Sequence, residues 1–422
     1  MERNRYVDFL RAASIVVVIL GHWLMATVYY EDGTLTSEHI FRLLPGTQWL
    51  TWIFQVMPVF FIVGGYSNAV SLESAQRKGV GYSGWLAARL YRLAVPLLVL
   101  VFTWTALALI MRFLDVSPEV IQLATKASLI PTWFLAIYIM VVILAPLAYR
   151  FWKRFGFVSF WILVALAILM DVAFFAARIQ WPSWSSYFWV WLAIHSLGFA
   201  WRDARIGSTR RLLMLSALAL GVMWLLVFYG PYPLAMVGSP DQVLSNTTPP
   251  KITLIALGTF QFGLLLAFEN PMRRKLANPR LWTATVLINS MIMSIYLWHI
   301  TVMIVLIGVL YLAGGIGLGL EPVTLHWWLA RPPWMLLMLG LLLPLALLLS
   351  PLERLSRNPA LPILSPARQV TGATLICLGI ALLAYFGYAG GPLPWFDVMP
   401  FTLIVAGALV SGLTPGFGRK SD

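Results

Sequence analysis

Apolar runs, each about as long as a bilayer core is thick, recur along the whole chain and leave few folds open to it. They lie at roughly 12–30, 50–72, 90–111, 132–149, 157–177, 186–201, 211–230, 252–268, 283–312, 334–350, 370–388 and 398–413. An α-helix needs about 20 predominantly apolar residues to cross the hydrocarbon region, where it must satisfy its own backbone groups. The sixth and last runs are short. The chain therefore reads as an all-α, polytopic integral membrane protein with about ten to twelve transmembrane helices. The run at 283–312 is long enough to be tilted or to continue beyond the membrane. Composition agrees, with 60% hydrophobic and 11% charged residues, against roughly 25% charged in a soluble domain. A soluble fold could not hide so much apolar surface.

The basic residues test this division. With the N-terminus inside, 23 of the 29 Lys and Arg fall on cytoplasmic connections. Only Arg42, Arg112, Lys126, Arg178, Lys251 and Arg331 fall on the other side. Such asymmetry implies an N-in, C-in protein of the cell membrane. The net charge of +13 sits in short clusters between apolar runs, so it does not imply a nucleic-acid partner. The first run leads straight into residues with chemistry, which makes it a retained helix rather than a cleaved leader. A single cysteine, Cys377, excludes an intramolecular disulfide. The outer connections at 31–49, 112–131, 231–251 and 313–333 are rich in Gly, Pro, Ser and Thr, and no internal repeat stands out.

Ionisable groups inside a bilayer are costly, so each is a functional candidate. Arg11 and His22 are eleven residues apart, which is three helical turns and about 20°, with about 16 Å of rise. They share one stripe, Arg11 at the cytoplasmic mouth and His22 near mid-bilayer. Asp8, one turn before Arg11, can pair with it. A neutral imidazole in that place can take a proton from a hydroxyl; equally, it can be a buried histidine satisfied by a neighbour. Arg89 and Arg92, one turn apart, suit either a phosphate clamp or ordinary positive-inside anchoring. His299 with Tyr296 one turn earlier suits either a second site group or a structural hydrogen bond. Asp171 can orient a histidine or, as the favoured reading, pair with Arg178, and His195, in a helix with Trp189, Trp191 and Trp201, is expected to have a packing role. His39 and His326 fall in outer loops with nothing to mark them. No spacing of His, Cys and acidic residues suggests a metal.

The opening Arg5-Tyr6-Val7-Asp8-Phe9-Leu10-Arg11, then ten residues and His22, resembles the signature start of the membrane acyltransferase-3 family. Pro58-Val59-Phe60-Phe61-Ile62-Val63-Gly64-Gly65-Tyr66 is similar to the family's second-helix stretch of paired Phe before Ser-Gly-aromatic. Arg89-Leu90-Tyr91-Arg92 before Pro96, Thr132-Trp133-Phe134-Leu135 and Ser294-Ile295-Tyr296-Leu297-Trp298-His299 follow in the family's order. Gly64 departs from the pattern, which commonly has Ser there, so no hydroxyl can be assigned at that position.

The resemblance implies transfer of an acyl group, most often acetyl, from cytoplasmic acyl-CoA (acetyl-CoA) to an extracytoplasmic carbohydrate or glycolipid. It implies catalytic roles for His22, Arg11, His299, Tyr296 and Asp8, and acyl-CoA binding by Arg89, Arg92 and Arg5. The acyltransferase core would occupy 1–355, with 356–422 an added transmembrane hairpin. A lipid-linked-sugar glycosyltransferase would explain the acidic pair Glu31-Asp32 in the first outer loop, but not the Arg11/His22 stripe. A transporter would show symmetry between halves, of which there is little.

Overall fold

The computed structural model describes residues 4–31, 34–205, 207–238, 243–355, 364–387 and 398–413. Asp32 therefore lies outside the described residues. Within them the chain is helical apart from one hairpin and its connections. The first helix, α1 (Arg5–Met25), leads into strands β1 (Ala26–Glu31) and β2 (Thr34–His39). Two short turns, α2 (Ile40–Leu43) and α3 (Thr51–Phe54), precede α4 (Met57–Arg77), α5 (Tyr82–Phe113) and α6 (Pro118–Ser128). Next come α7 (Thr132–Phe155), α8 (Phe157–Phe175), α9 (Ser186–Arg202) and α10 (Thr209–Tyr229). The chain continues through α11 (Ile252–Ala267), α12 (Glu269–Lys275), α13 (Pro279–Ser290) and α14 (Ile292–Leu312). It closes with α15 (Leu325–Leu355), α16 (Pro366–Phe386) and α17 (Val398–Val410).

Among the described residues, nine spans are long and apolar enough to cross a membrane, and the pair α11–α12, bent by 55°, makes a tenth. The two short runs of the sequence become α9, 17 residues long, and α17, 13 residues long. Helix starts are written locally. Ser117, Asn278 and Ser365 each accept a backbone N–H and are each followed by proline, opening α6, α13 and α16. A side-chain acceptor satisfies an orphan donor, and proline at the first position costs no hydrogen bond.

In two places the backbone departs from the hydropathy reading. The first helix stops at Met25 rather than continuing to 30, because Ala26–Glu31 pairs antiparallel with Thr34–His39. The β-branched and aromatic side chains of Thr27, Val28, Tyr29 and Tyr30 suit a strand as well as a helix. His22 consequently sits in the last helical turn and not midway along its span. The run at 283–312 is not one tilted helix but two, broken at Met291 (φ −122°, ψ 22°). Just after the break, the Glu353 carboxylate accepts from both Ser294 N–H and Ser294 Oγ at 2.6 Å. An anion there complements the start of α14.

The chain forms two compact units. One comprises Met1–Glu73, Ala145–Ile292 and Leu306–Leu339. Here α4 and α9 touch backbone to backbone: a Cβ on Gly65 would overlap the His195 carbonyl, and one on Gly198 the Ile62 carbonyl. Close approach through small residues is a main way helices associate in a bilayer. At the basic end of these helices, Glu73 accepts from Arg202 at 2.7 Å and from the Tyr149 hydroxyl at 2.6 Å.

At the opposite end of the same unit, the connection after α10 is tied down by buried polar groups. Asn246 donates to the carbonyls of Pro233 and Ala235, and Gln55 to that of Met236. Asp171 does not pair with Arg178. It meets Lys251 at 3.7 Å, accepts from the Tyr232 hydroxyl at 3.1 Å and from Ile252 N–H at 2.9 Å. The Lys251 ammonium lies 3.5 Å from the Phe174 ring centroid. Burial lowers its pKa from the ordinary lysine value, and Asp171 opposes that shift.

The second unit comprises Ser74–Leu144, Met293–Val305 and Gly340–Asp422. In it α16 and α17 meet at Gly372 and Gly407, each too close to the other's carbonyl to admit a Cβ. The Cys377 thiol of α16 faces the Ala136 carbonyl at 3.5 Å.

Candidate functional site

The first unit holds Arg5, Asp8, Arg11 and His22, all on α1. Asn4 caps the helix by accepting from Tyr6 N–H at 3.0 Å and also donates to the Tyr66 hydroxyl at 3.3 Å. The Tyr6 hydroxyl donates to the Leu265 carbonyl at 2.8 Å. Arg5 is exposed; its guanidinium donates to the Leu276 carbonyl at 3.1 Å and lies 4.9 Å from the Trp282 ring centroid. These contacts fix both the rotation and the height of α1.

One turn further in, the buried Asp8 carboxylate takes Arg11 Nη1 at 3.2 Å. The other arm of the fork, Nη2, donates to Ser67 Oγ on α4 at 2.8 Å. The backbone carbonyl of Asp8 accepts from Asn289 Nδ2 at 2.8 Å. Arg11 is thus a partly buried cation held on two sides, a geometry only a planar guanidinium supplies. His22 follows on the same stripe, half-buried, with the N–H of Ala26 closing the helix onto its carbonyl.

The second unit holds Arg89, Arg92, Tyr296 and His299. Arg89 and Arg92 stand one turn apart near the start of α5, the first half-buried and 5.3 Å from the Trp85 ring centroid, the second exposed. His299 is fully buried on α14, and its Nδ1 lies 2.6 Å from the Tyr296 carbonyl. A carbonyl only accepts, so Nδ1 carries a proton. The Tyr296 hydroxyl donates to the Pro131 carbonyl at 2.8 Å, and its ring meets Phe134 edge-on at 5.7 Å. Tyr296 therefore joins α14 to the turn in front of the Trp133-Phe134 segment.

A family model described as an acyltransferase domain, that of the acyltransferase-3 family, matches residues 4–351. The chain belongs to the acyltransferase-3 family. No curated protein and no solved structure matches it. The match takes in every residue singled out above on α1, α4, α5 and α14, and it makes the protein a multi-pass membrane acyltransferase.

The sequence left Gly64 without a hydroxyl to assign. The structure supplies a hydroxyl one turn later, at Ser67, on Arg11 itself. Ser67 had no mark in the sequence beyond lying three residues from Gly64. Asn289 had none, because it serves a backbone carbonyl. His195 packs as expected: it is fully buried, 3.1 Å from Asn68 Nδ2 and edge-on to Phe199. His39 Nδ1 accepts from Phe41 N–H at 3.3 Å.

Proposed function

We propose that the protein is an acyl-CoA-dependent O-acyltransferase of the cell membrane, N-in and C-in. It moves an acyl group, typically acetyl, from cytoplasmic acyl-CoA to a hydroxyl of an extracytoplasmic carbohydrate or glycolipid. The thioester C–S bond breaks and an ester C–O bond forms. The hydroxyl proton passes to His22 and ends on the leaving thiolate as the free thiol of CoA.

The observation that carries this reading is the state of Arg11 within a chain of this family. Asp8 and Ser67 hold its guanidinium by both arms, on the helical stripe that ends in His22. A fixed cation stabilises developing negative charge without reorganising during the reaction. The imidazole further along the stripe is a general base. Arg89 and Arg92, one turn apart on α5, are the anchors of this reading for the phosphates of acyl-CoA. His299 is the second imidazole of this reading, and Tyr296 positions its helix. The short outer connections favour a lipid-anchored acceptor presented at the membrane surface.

The test uses purified protein in vesicles with isotope-labelled acetyl-CoA and an envelope glycolipid extract. Wild-type protein is expected to label the glycolipid fraction. His22→Ala should lower the rate by about 10²-fold or more. Equal labelling by both proteins would remove His22 from the mechanism.

A further inference from the structure

Cations are scarce on the side of the chain read as outer, and one of them, Arg331, lies inside a helix rather than in a connection. The helix is α15, with 31 residues. At 1.5 Å per residue it is about 46 Å long, against a hydrocarbon core of about 30 Å. Its ends therefore reach the headgroup level. Arg331 is six residues beyond Leu325, where α15 begins, or about 9 Å along the axis. It stands at the edge of the hydrocarbon.

Arg331 does not share the lipid-facing side of its helix. Leu329 and Leu336 are exposed, whereas Trp327 and Met338 are buried. Residues 327, 331 and 338 share one stripe at the 3.6-residue period, and Arg331 is half-buried on it. A cation at that depth is costly unless it is paired. Its guanidinium lies 3.7 Å from the Trp327 ring centroid. That contact uses the face of the ring and leaves five N–H donors to satisfy. Among the described residues no carboxylate pairs with Arg331 and no side chain or carbonyl accepts from it. The indole N–H of Trp327, a residue 2% exposed, has no acceptor there either. Two neighbouring donor groups thus lack an acceptor, which is the deficit an anion fills.

The stack is firmly seated. Trp327 is buried with Ile40 and Phe41, and Met25 from the last turn of α1 packs against them with Leu44, Val237 and Val323. We infer that Arg331, held flat on Trp327, binds the phosphate of a lipid at the outer membrane surface. A phosphate offers oxygens in a geometry that takes two parallel N–H bonds from the guanidinium fork, and the indole N–H is a further donor. The phosphate belongs either to a bilayer phospholipid or to a lipid that carries a glycan, since both present the same group. A lipid with only tails and hydroxyls leaves the guanidinium without its anion. Such binding needs no acyl donor, so it stands apart from the acyl-transfer reading.

Native mass spectrometry of the full chain in a maltoside detergent, which has no phosphate, counts bound lipid directly. The probes are phosphatidylglycerol, a polyprenyl phosphate and, as the matched lipid without phosphate, diacylglycerol. Wild-type protein is expected to hold both phosphate lipids and to release diacylglycerol. Arg331→Gln should weaken binding of the phosphate lipids about ten- to a hundredfold, the worth of hydrogen bonds to a charged group. Arg331→Lys keeps the charge without the fork and should fall between Arg331→Gln and wild type. Trp327→Phe keeps a ring under the guanidinium, removes the N–H and should cost about three- to tenfold. Tighter binding of polyprenyl phosphate would assign the site to a glycan carrier, and tighter binding of phosphatidylglycerol to the bilayer. Wild-type affinity in Arg331→Gln would overturn the inference, as would a wild-type protein that holds diacylglycerol equally well. Equal losses for all three lipids, with a lower melting temperature in the absence of lipid, would make the stack a packing element alone.

Discussion

Arg11 shows how much a single side chain depends on its shape. Its two arms go to different elements, Nη1 to Asp8 on its own helix and Nη2 to Ser67 on α4. Lysine would keep the charge but could not fork between both partners. Arg11→Lys is expected to cut acyl transfer roughly ten- to hundredfold, as misplacement of a fixed group does. Ser67→Ala should cost about threefold, the worth of one hydrogen bond. Labelling rates and thermal melts measured together check both. A fall in melting temperature that tracks the rate loss would assign Arg11 to folding and not to the reaction. Asp8 was legible as its partner because helical spacing puts the two residues one turn apart. Ser67 was not, because nothing in a linear sequence says which turn of α4 faces α1.

At the scale of elements, the crossing of α4 and α9 is set by Gly65 and Gly198, where the two backbones touch. The clash there is with carbonyl atoms, which cannot rotate away as a side chain can. Gly65→Ala should destabilise the protein by about 1–3 kcal/mol or more, read as a lower melting temperature and a loss of monodisperse protein on size exclusion. An unchanged melt would mean that the helices separate at no cost and that the contact is incidental. The crossing carries Ser67 and Tyr66 at fixed height beside α1, so its loss should also lower activity.

The hairpin of β1 and β2 illustrates the limit of hydropathy. Ala26–Tyr30 extends the first apolar run, and apolar strand and helix look alike over five residues. The Asp32-Gly33 pair in the sequence is a turn signal between two β-prone stretches and gave the one available hint.

For the whole molecule, the expected sidedness follows from the charge pattern, which assigns 23 of the 29 Lys and Arg to one set of connections. Cys377, the single cysteine, is buried, so the orientation can be tested with introduced thiols. In Cys377→Ala protein, Trp184→Cys should react with a membrane-impermeant maleimide from outside right-side-out vesicles. Lys78→Cys should react only after detergent opens the membrane. Both Trp184 and Lys78 are exposed. The reverse pattern would place the N-terminus outside and overturn the donor side proposed for acyl-CoA. Several inner basic residues turn out to have specific partners as well: Arg202 meets Glu73 at 2.7 Å, and Lys153 meets Asp203 at 3.0 Å. Residues that the charge pattern reads as anchors therefore also clamp helices together.

By itself the sequence determined the membrane class, the number of spans to within two or three, and the stripe from Arg11 to His22. All of these follow from hydropathy, charge and the 3.6-residue period, which act within one helix or one loop. Only the tertiary structure decided that Ser67, 56 residues away, completes the hold on Arg11. It alone exchanged Arg178 for Lys251 as the partner of Asp171 and brought His39 back to the end of α1. Such contacts join residues distant in the chain. Helix rotation, glycine-limited approach and strand register fix them, and each emerges only once neighbouring elements pack.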